Sequence, residues 1–174
     1  KGGSKISGSV NVHGSKNSAL PIIVSSLLSK KTLKLSNVPN VVDVLNLIKL
    51  LKNYGVKIEH KKNKLKINPS KIKNLSADYD VVRKMRASIL ILGPLLSRFG
   101  EARISLPGGC AIGTRPIDIH LAGLSKLGAN FEIQNGFVVG SVKSQLIGNK
   151  IKLPFPSVGA TENILMASVL AKGE

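Results

Sequence analysis

Acidic residues are scarce in this chain: 9 stand against 26 lysines and arginines, for a formal charge of +17 over 174 residues. Such an excess raises nucleic acid as a partner. A second scarcity argues against it. Tryptophan is absent and aromatics make up 3%, so there is no platform on which single-stranded bases stack. The densest lysine run (Lys57, Lys61, Lys62, Lys64, Lys66, Lys71, Lys73) alternates with Ile58, Leu65 and Ile67, as the solvated face of a hairpin does. Long apolar runs are missing too: Ala19 to Leu28 and Ile89 to Leu96 are too short to span a bilayer. Lys1 to Lys5 lack the apolar core of a secretory signal. One cysteine excludes an internal disulfide and fits a reducing compartment. We expect a cytoplasmic protein with no nucleic-acid or membrane partner. His13, His60 and His120 are scattered without metal-ligand spacing, and no Ser-His-Asp order or carboxylate pair stands out. Neither metal nor cofactor is expected.

What is present is repetition. The stretch Ser18 to Ser29 resembles Ser88 to Ser97 and Asn163 to Ala171, and Leu28, Leu96 and Leu170 align at spacings of 68 and 74 residues. Leu51 to Ile58 matches Leu124 to Phe131, with Gly55 and Gly128 separated by 73. Periods of this size mark repeated supersecondary units. The first reads as an apolar helix (17–29), a strand (31–36), a helix with Val41, Val44, Leu45, Ile48 and Leu51 on one face, a Gly55 cap, and strands 56–60 and 64–68. The second repeats this: helix 83–98, strand 101–106, helix 116–127 opened by Pro116, Gly128, and strands 129–134 and 137–142. A strand precedes each unit. The first helices are apolar nearly all round, so three of them packed together predict a centre of helices with sheets outside. We expect one incomplete domain over 1–174, with repeats at about 12–72, 78–145 and 149–174. The third breaks off, which marks a fragment whose missing part lies beyond residue 174.

Three segments predict helix N-termini able to receive an anion on unpaired N–H groups: Gly14 to Ser18, Gly113 to Pro116, and Ser157 to Thr161. Ordinary caps look the same, but Lys16 and Arg115 add charge-assisted donors suited to phosphate. Arg86 heads the second apolar helix; a plain surface arginine is the equal alternative. His120 is compatible with a positioning role or with simple exposure. The lone thiol, Cys110, lies in Leu106-Pro107-Gly108-Gly109-Cys110-Ala111-Ile112-Gly113-Thr114-Arg115-Pro116. The glycines allow close backbone approach and lid-like movement, and a nearby guanidinium favours a thiolate or steadies an anionic substrate. A small half-buried hydrophobe is the bland alternative.

Gly14-Ser15-Lys16-Asn17-Ser18-Ala19-Leu20-Pro21, Met85-Arg86-Ala87-Ser88, the cysteine run through Asp118, and Ser157-Val158-Gly159-Ala160-Thr161 together resemble the UDP-N-acetylglucosamine 1-carboxyvinyltransferase family of enolpyruvyl transferases. The resemblance implies an α/β fold, the inside-out α/β barrel built of βαβαββ repeats with buried apolar helices and outer sheets, in two pseudo-symmetric domains. It implies transfer of the enolpyruvyl group from phosphoenolpyruvate to the 3′-hydroxyl of UDP-N-acetylglucosamine with release of phosphate, at the start of peptidoglycan synthesis. By place in the motif, Cys110 is the proton donor and the target of fosfomycin. Lys16, Asn17 and Arg115 match phosphoenolpyruvate contacts. Arg86, Arg115, Pro116, Ile117, Asp118, Ile119, Phe155, Pro156, Ser157 and Val158 match sugar-nucleotide contacts. Phe155 departs from the lysine of many relatives. The family's aspartate base and a further phosphate-binding arginine fall outside this chain, so the 174 residues alone are expected to be inert. The related enolpyruvyl transferase of aromatic amino-acid synthesis, a non-catalytic paralogue and a basic nucleic-acid-binding module are the alternatives.

Overall fold

The computed structural model describes residues 2–3, 5–72, 75, 86–106 and 117–174, with Arg86 and Ala87 described by backbone alone. Ser15 starts the first helix, α1 (Lys16–Ser25), its hydroxyl accepting from the Ser18 N–H at 3.4 Å. This meets one of the donors a helix start leaves unpaired. A 3-10 turn, Ser26–Leu28, continues α1 into β1 (Leu33–Leu35). Next comes α2 (Val42–Asn53), ending where Gly55 adopts φ +91°. Its close is a Schellman motif: the Gly55 N–H bonds to the Lys52 carbonyl and the Val56 N–H to the Leu51 carbonyl. Strands β2 (Lys57–Lys61) and β3 (Lys64–Asn68) then pair, and β3 also pairs with β1, so the antiparallel sheet runs β1-β3-β2.

The second unit repeats the plan. A 3-10 stretch, Arg86–Ile91, passes into α3 (Leu92–Phe99), which Gly100 closes at φ +76°. Then follow β4 (Glu101–Ser105), α4 (Asp118–Lys126), β5 (Ala129–Gln134) and β6 (Phe137–Val142). Its sheet runs β4-β6-β5, the same order as the first. Asn135 and Gly136 both have positive φ, at +50° and +78°, as the two-residue turn between β5 and β6 requires. A last helix, α5 (Val158–Ser168), is capped by the Ser157 hydroxyl on the Ala160 N–H at 3.4 Å.

One hydrophobic core runs through both units, joining Ile23, Val24 and Leu27 with Leu47, Leu50 and Leu51, Ile67, Ile91, Leu92, Leu95, Leu124 and Val138. Each fully buried side chain of this size contributes about 1.5–3 kcal/mol. The helices lie inside and the sheets outside, as expected, but with corrections. The helix expected over 83–98 is 3-10 as far as Ile91 and α only from Leu92. The α2 core face is Val44, Leu47, Ile48, Leu50 and Leu51; Val41 is exposed and Leu45 only half-buried, so the face is turned from the expected one. Of the three apolar helices, α3 is the enclosed one. Val158 and Leu165 on α5 and Val169 just after it are exposed, because α3, α4 and the 3-10 stretch cover the helix from one side only. Residues 5–15 form no strand; the Asn37 amide reaches the Val12 carbonyl at 3.4 Å, but among the described residues no β partner lies alongside. Before α5 there is an isolated parallel bridge, Ile147 to Lys172, where a strand was expected.

Candidate functional site

Lys16 and Asn17 occupy the first turn of α1, both exposed. The approach to that turn is fixed by Gly14, since a Cβ there would collide with the Asn37 carbonyl. Only glycine lets the backbone pass so close. The Lys16 ammonium lies 2.8 Å from Asp43 Oδ2, in the first turn of α2, with both side chains about half exposed. A screened pair of this kind adds little stability. It orients the ammonium at the helix N-terminus, where the N–H groups and macrodipole also favour an anion.

The second cluster forms at the starts of α4 and α5. Ile117 is the residue preceding α4, Asp118 lies exposed in its first turn, and Ile119 is buried. Ser157 caps α5; Val158 beside it is 77% exposed and Phe155 is 55% exposed, with Pro156 exposed between them. The two starts meet through His120 and Gly159: a Cβ on Gly159 would sit 3.4 Å from the His120 ring. A cavity of about 190 Å³ opens beside them, lined by Asp118, Ile119 and Gly123 of α4 and by Ile151, Leu153 and Pro154. Arg86 begins the 3-10 stretch that packs on α5 and α1, so its backbone stands at the head of a third element converging here.

One residue of this cluster, Asn163, and one beside Lys16, Asp43, escape a reading of single motifs. Asn163 is fully buried, and its side-chain Oδ1 accepts from the Gly93 N–H at 2.8 Å while Nδ2 donates to the Ile89 carbonyl at 2.9 Å. The same Nδ2 lies 3.2 Å from His120 Nδ1. Burial lowers the His120 pKa, and Asp118 opposes this by favouring the charged ring. The only sequence signal for Asn163 is an amide that follows Thr161 and Glu162 in a largely apolar helix, and repeat alignment gives it no role. Asp43 is signalled only as an acid in a helix's first turn.

The structure thus brings Ile117, Asp118 and Ile119 together with Ser157 and Val158, and places Lys16 and Asn17 at a separate helix start. Cys110, Arg115, Pro116 and the Arg86 side chain, with the lid expected over 106–116 beyond Leu106, lie outside the described residues. Among the described residues no group of three or more His, Cys, Asp or Glu is placed to hold a metal. No helix among them is long and apolar enough to cross a membrane.

The model of the family described as EPSP synthase (3-phosphoshikimate 1-carboxyvinyltransferase) matches residues 1–174. Campylobacter jejuni UDP-N-acetylglucosamine 1-carboxyvinyltransferase is 52% identical over 174 residues, covering 100% of this chain and 41% of its own length. Its namesake from Sulfurovum is 53% identical over 173 residues, 99% of this chain and 41% of its own length. The chain therefore spans about two-fifths of the curated relatives it matches. Among solved structures, the enolpyruvyl transferase NikO from Streptomyces tendae superposes with a TM-score of 0.79 at 20% identity, over 99% of this chain and 40% of that one. EPSP synthase from Acinetobacter baumannii gives 0.77 at 22% identity, over 95% and 39%. At such identities the superpositions carry the fold alone.

Proposed function

Because this chain belongs to the EPSP synthase (3-phosphoshikimate 1-carboxyvinyltransferase) family, we propose that the protein carrying it transfers the enolpyruvyl group of phosphoenolpyruvate to the 3′-hydroxyl of UDP-N-acetylglucosamine. The observation that carries this is identity above half, over the whole chain, to relatives named for that reaction. Peptidoglycan synthesis in the cytoplasm is the corresponding setting.

The chemistry is addition followed by elimination. The sugar hydroxyl loses its proton to a base and its oxygen bonds to C2 of phosphoenolpyruvate, while the C3 methylene gains a proton. The C2–O bond to phosphate then breaks, phosphate leaves with the bonding pair, and C3 gives up a proton to restore the double bond. Cys110 serves as the donor to C3. Lys16 and Asn17, at the α1 start, suit the anionic ester, as does Arg115, because cations aimed at developing charge stabilise the transition state. Arg86, the segment 115–119, and Phe155 to Val158 hold the sugar nucleotide. The converging starts of α4 and α5 support that assignment. Phe155 brings an exposed ring to a place where many relatives have a lysine, so a phosphate contact there is lost or supplied by another residue.

The test is phosphate release by the full-length polypeptide. Release from phosphoenolpyruvate that depends on UDP-N-acetylglucosamine, lost by about 10²–10⁴-fold in Cys110→Ala, is the expected result. Release supported by shikimate 3-phosphate instead, or activity untouched by Cys110→Ala, contradicts the proposal. A polypeptide of these 174 residues alone is expected to show no turnover in the same assay.

A further inference from the structure

In an α-helix the Gly93 N–H would bond to the Ile89 carbonyl four residues back. Here the Asn163 carboxamide stands between them, accepting from one at 2.8 Å and donating to the other at 2.9 Å. The insertion falls where the 3-10 stretch from Arg86 passes into α3. The site is shaped for it, since a Cβ on Gly93 would lie 2.5 Å from both the Asn163 backbone oxygen and Oδ1. The amide's orientation is fixed by its partners. A backbone N–H demands Oδ1 and a backbone carbonyl demands Nδ2, so the usual ambiguity of amide flips does not arise. The second Nδ2 hydrogen then faces His120 Nδ1 at 3.2 Å, which must accept it. A ring that accepts at Nδ1 is neutral and carries its proton on Nε2. The Nε2 edge is turned toward Gly159, whose Cβ would meet it at 3.6 Å.

We propose that Asn163 and His120 form a positioning pair that sets the spacing among the three element starts holding the sugar nucleotide. This rests on the function proposed above. Arg86 begins the stretch containing Ile89; Ile117, Asp118 and Ile119 immediately precede His120; Ser157 and Val158 immediately precede Gly159. One buried amide on α5 bonds to the backbone of the 3-10 stretch and of α3 and to the His120 side chain of α4, and losing its His120 bond loosens the start of α4 from that of α5. The pair touches no reacting atom, so its effect falls on sugar-nucleotide binding and leaves phosphoenolpyruvate alone.

The experiment uses the full-length polypeptide in two arms. In the first, 15N-labelled histidine spectra of the wild type near neutral pH report which His120 nitrogen is protonated. An unprotonated Nδ1 with a proton on Nε2 is expected, and a proton on Nδ1 overturns the pair even if no variant folds. In the second, His120→Leu raises KM for UDP-N-acetylglucosamine about tenfold, the scale of one buried hydrogen bond, with kcat and KM for phosphoenolpyruvate within about threefold. His120→Asn, whose Oδ1 occupies the place of Nδ1, restores the wild-type KM. An unchanged KM in His120→Leu, equal damage in both variants, or a loss shared by both substrates overturns the positioning role. Wild-type protein that does not turn over UDP-N-acetylglucosamine refutes the function, and the spectra still decide the pair.

Discussion

His120 shows how one protonation state links packing to pH. Burial lowers its pKa below the ordinary 6.5, and Asp118 on the same helix offsets part of that shift. The unfolded chain therefore binds a proton below about pH 6.5 that the folded chain refuses until the pH reaches its lower value. Stability falls with pH across that window and is complete above it. Glu162 has the opposite sign: burial raises its carboxyl above 4.5, so the folded state holds the proton more firmly and gains stability as the pH drops toward that range. The His120 contribution is isolated by difference. Urea unfolding at pH 7.5 and pH 5.5 is expected to show a larger loss for wild type than for His120→Asn, and parallel losses would contradict the assignment. None of this is legible at residue 120, two positions after an exposed aspartate. The burial comes from Asn163 and Gly159 on a different helix, and a linear pattern does not carry that contact.

Among the elements, caps were readable and helix type was not. Ser15 and Ser157 fall in segments read as helix N-termini, and each caps its helix by accepting from an N–H three residues on. Gly55 and Gly128 end α2 and α4 with φ of +91° and +97°, as glycines placed after amphipathic stretches should. The 3-10 form of residues 86–91 was not visible, and neither was the α5 side chain inserted where that stretch passes into α3. Apolar periodicity records which face is buried and nothing about what enters the backbone ladder. The same insertion makes Gly93 sensitive. In Gly93→Ala the new methyl would fall 2.5 Å from the backbone oxygen and Oδ1 of Asn163, atoms that yield only if α3 and α5 separate. A loss of about 1–3 kcal/mol is expected from such overpacking, against a slight gain from helix propensity alone. Denaturant midpoints at constant slope measure it, and a stabilised variant would disprove the close approach of the two helices.

Across the whole molecule, repeat spacing predicted three similar units, the third incomplete, and the sheets of the first two have the same strand order. How the units hold together depends on contacts with no local signature. Arg98, in the last turn of α3, sends Nη1 to the carbonyls of Leu27 at 2.7 Å and Ser29 at 3.0 Å, and Nη2 to that of Pro69 at 3.1 Å. Leu27 and Ser29 lie where the apolar helix of the first unit ends, and Pro69 follows its last strand, so one guanidinium holds two ends of that unit against the second. Burial lowers the Arg98 pKa, yet an arginine stays charged at any working pH. In sequence it was one basic residue among 26. A lysine offers a point charge in place of a planar fork and cannot reach three carbonyls from one position. Arg98→Lys is therefore expected to cost about 1–3 kcal/mol, and Arg98→Leu more, because the part-buried carbonyls of Leu27 and Pro69 lose their donor. Coupling between the units is a separate quantity, read from the shape of unfolding. If Arg98 joins them, Arg98→Leu broadens the denaturant transition and lowers its slope as one unit unfolds before the other. A variant that keeps both midpoint and slope would show that the shared core alone holds the two units together.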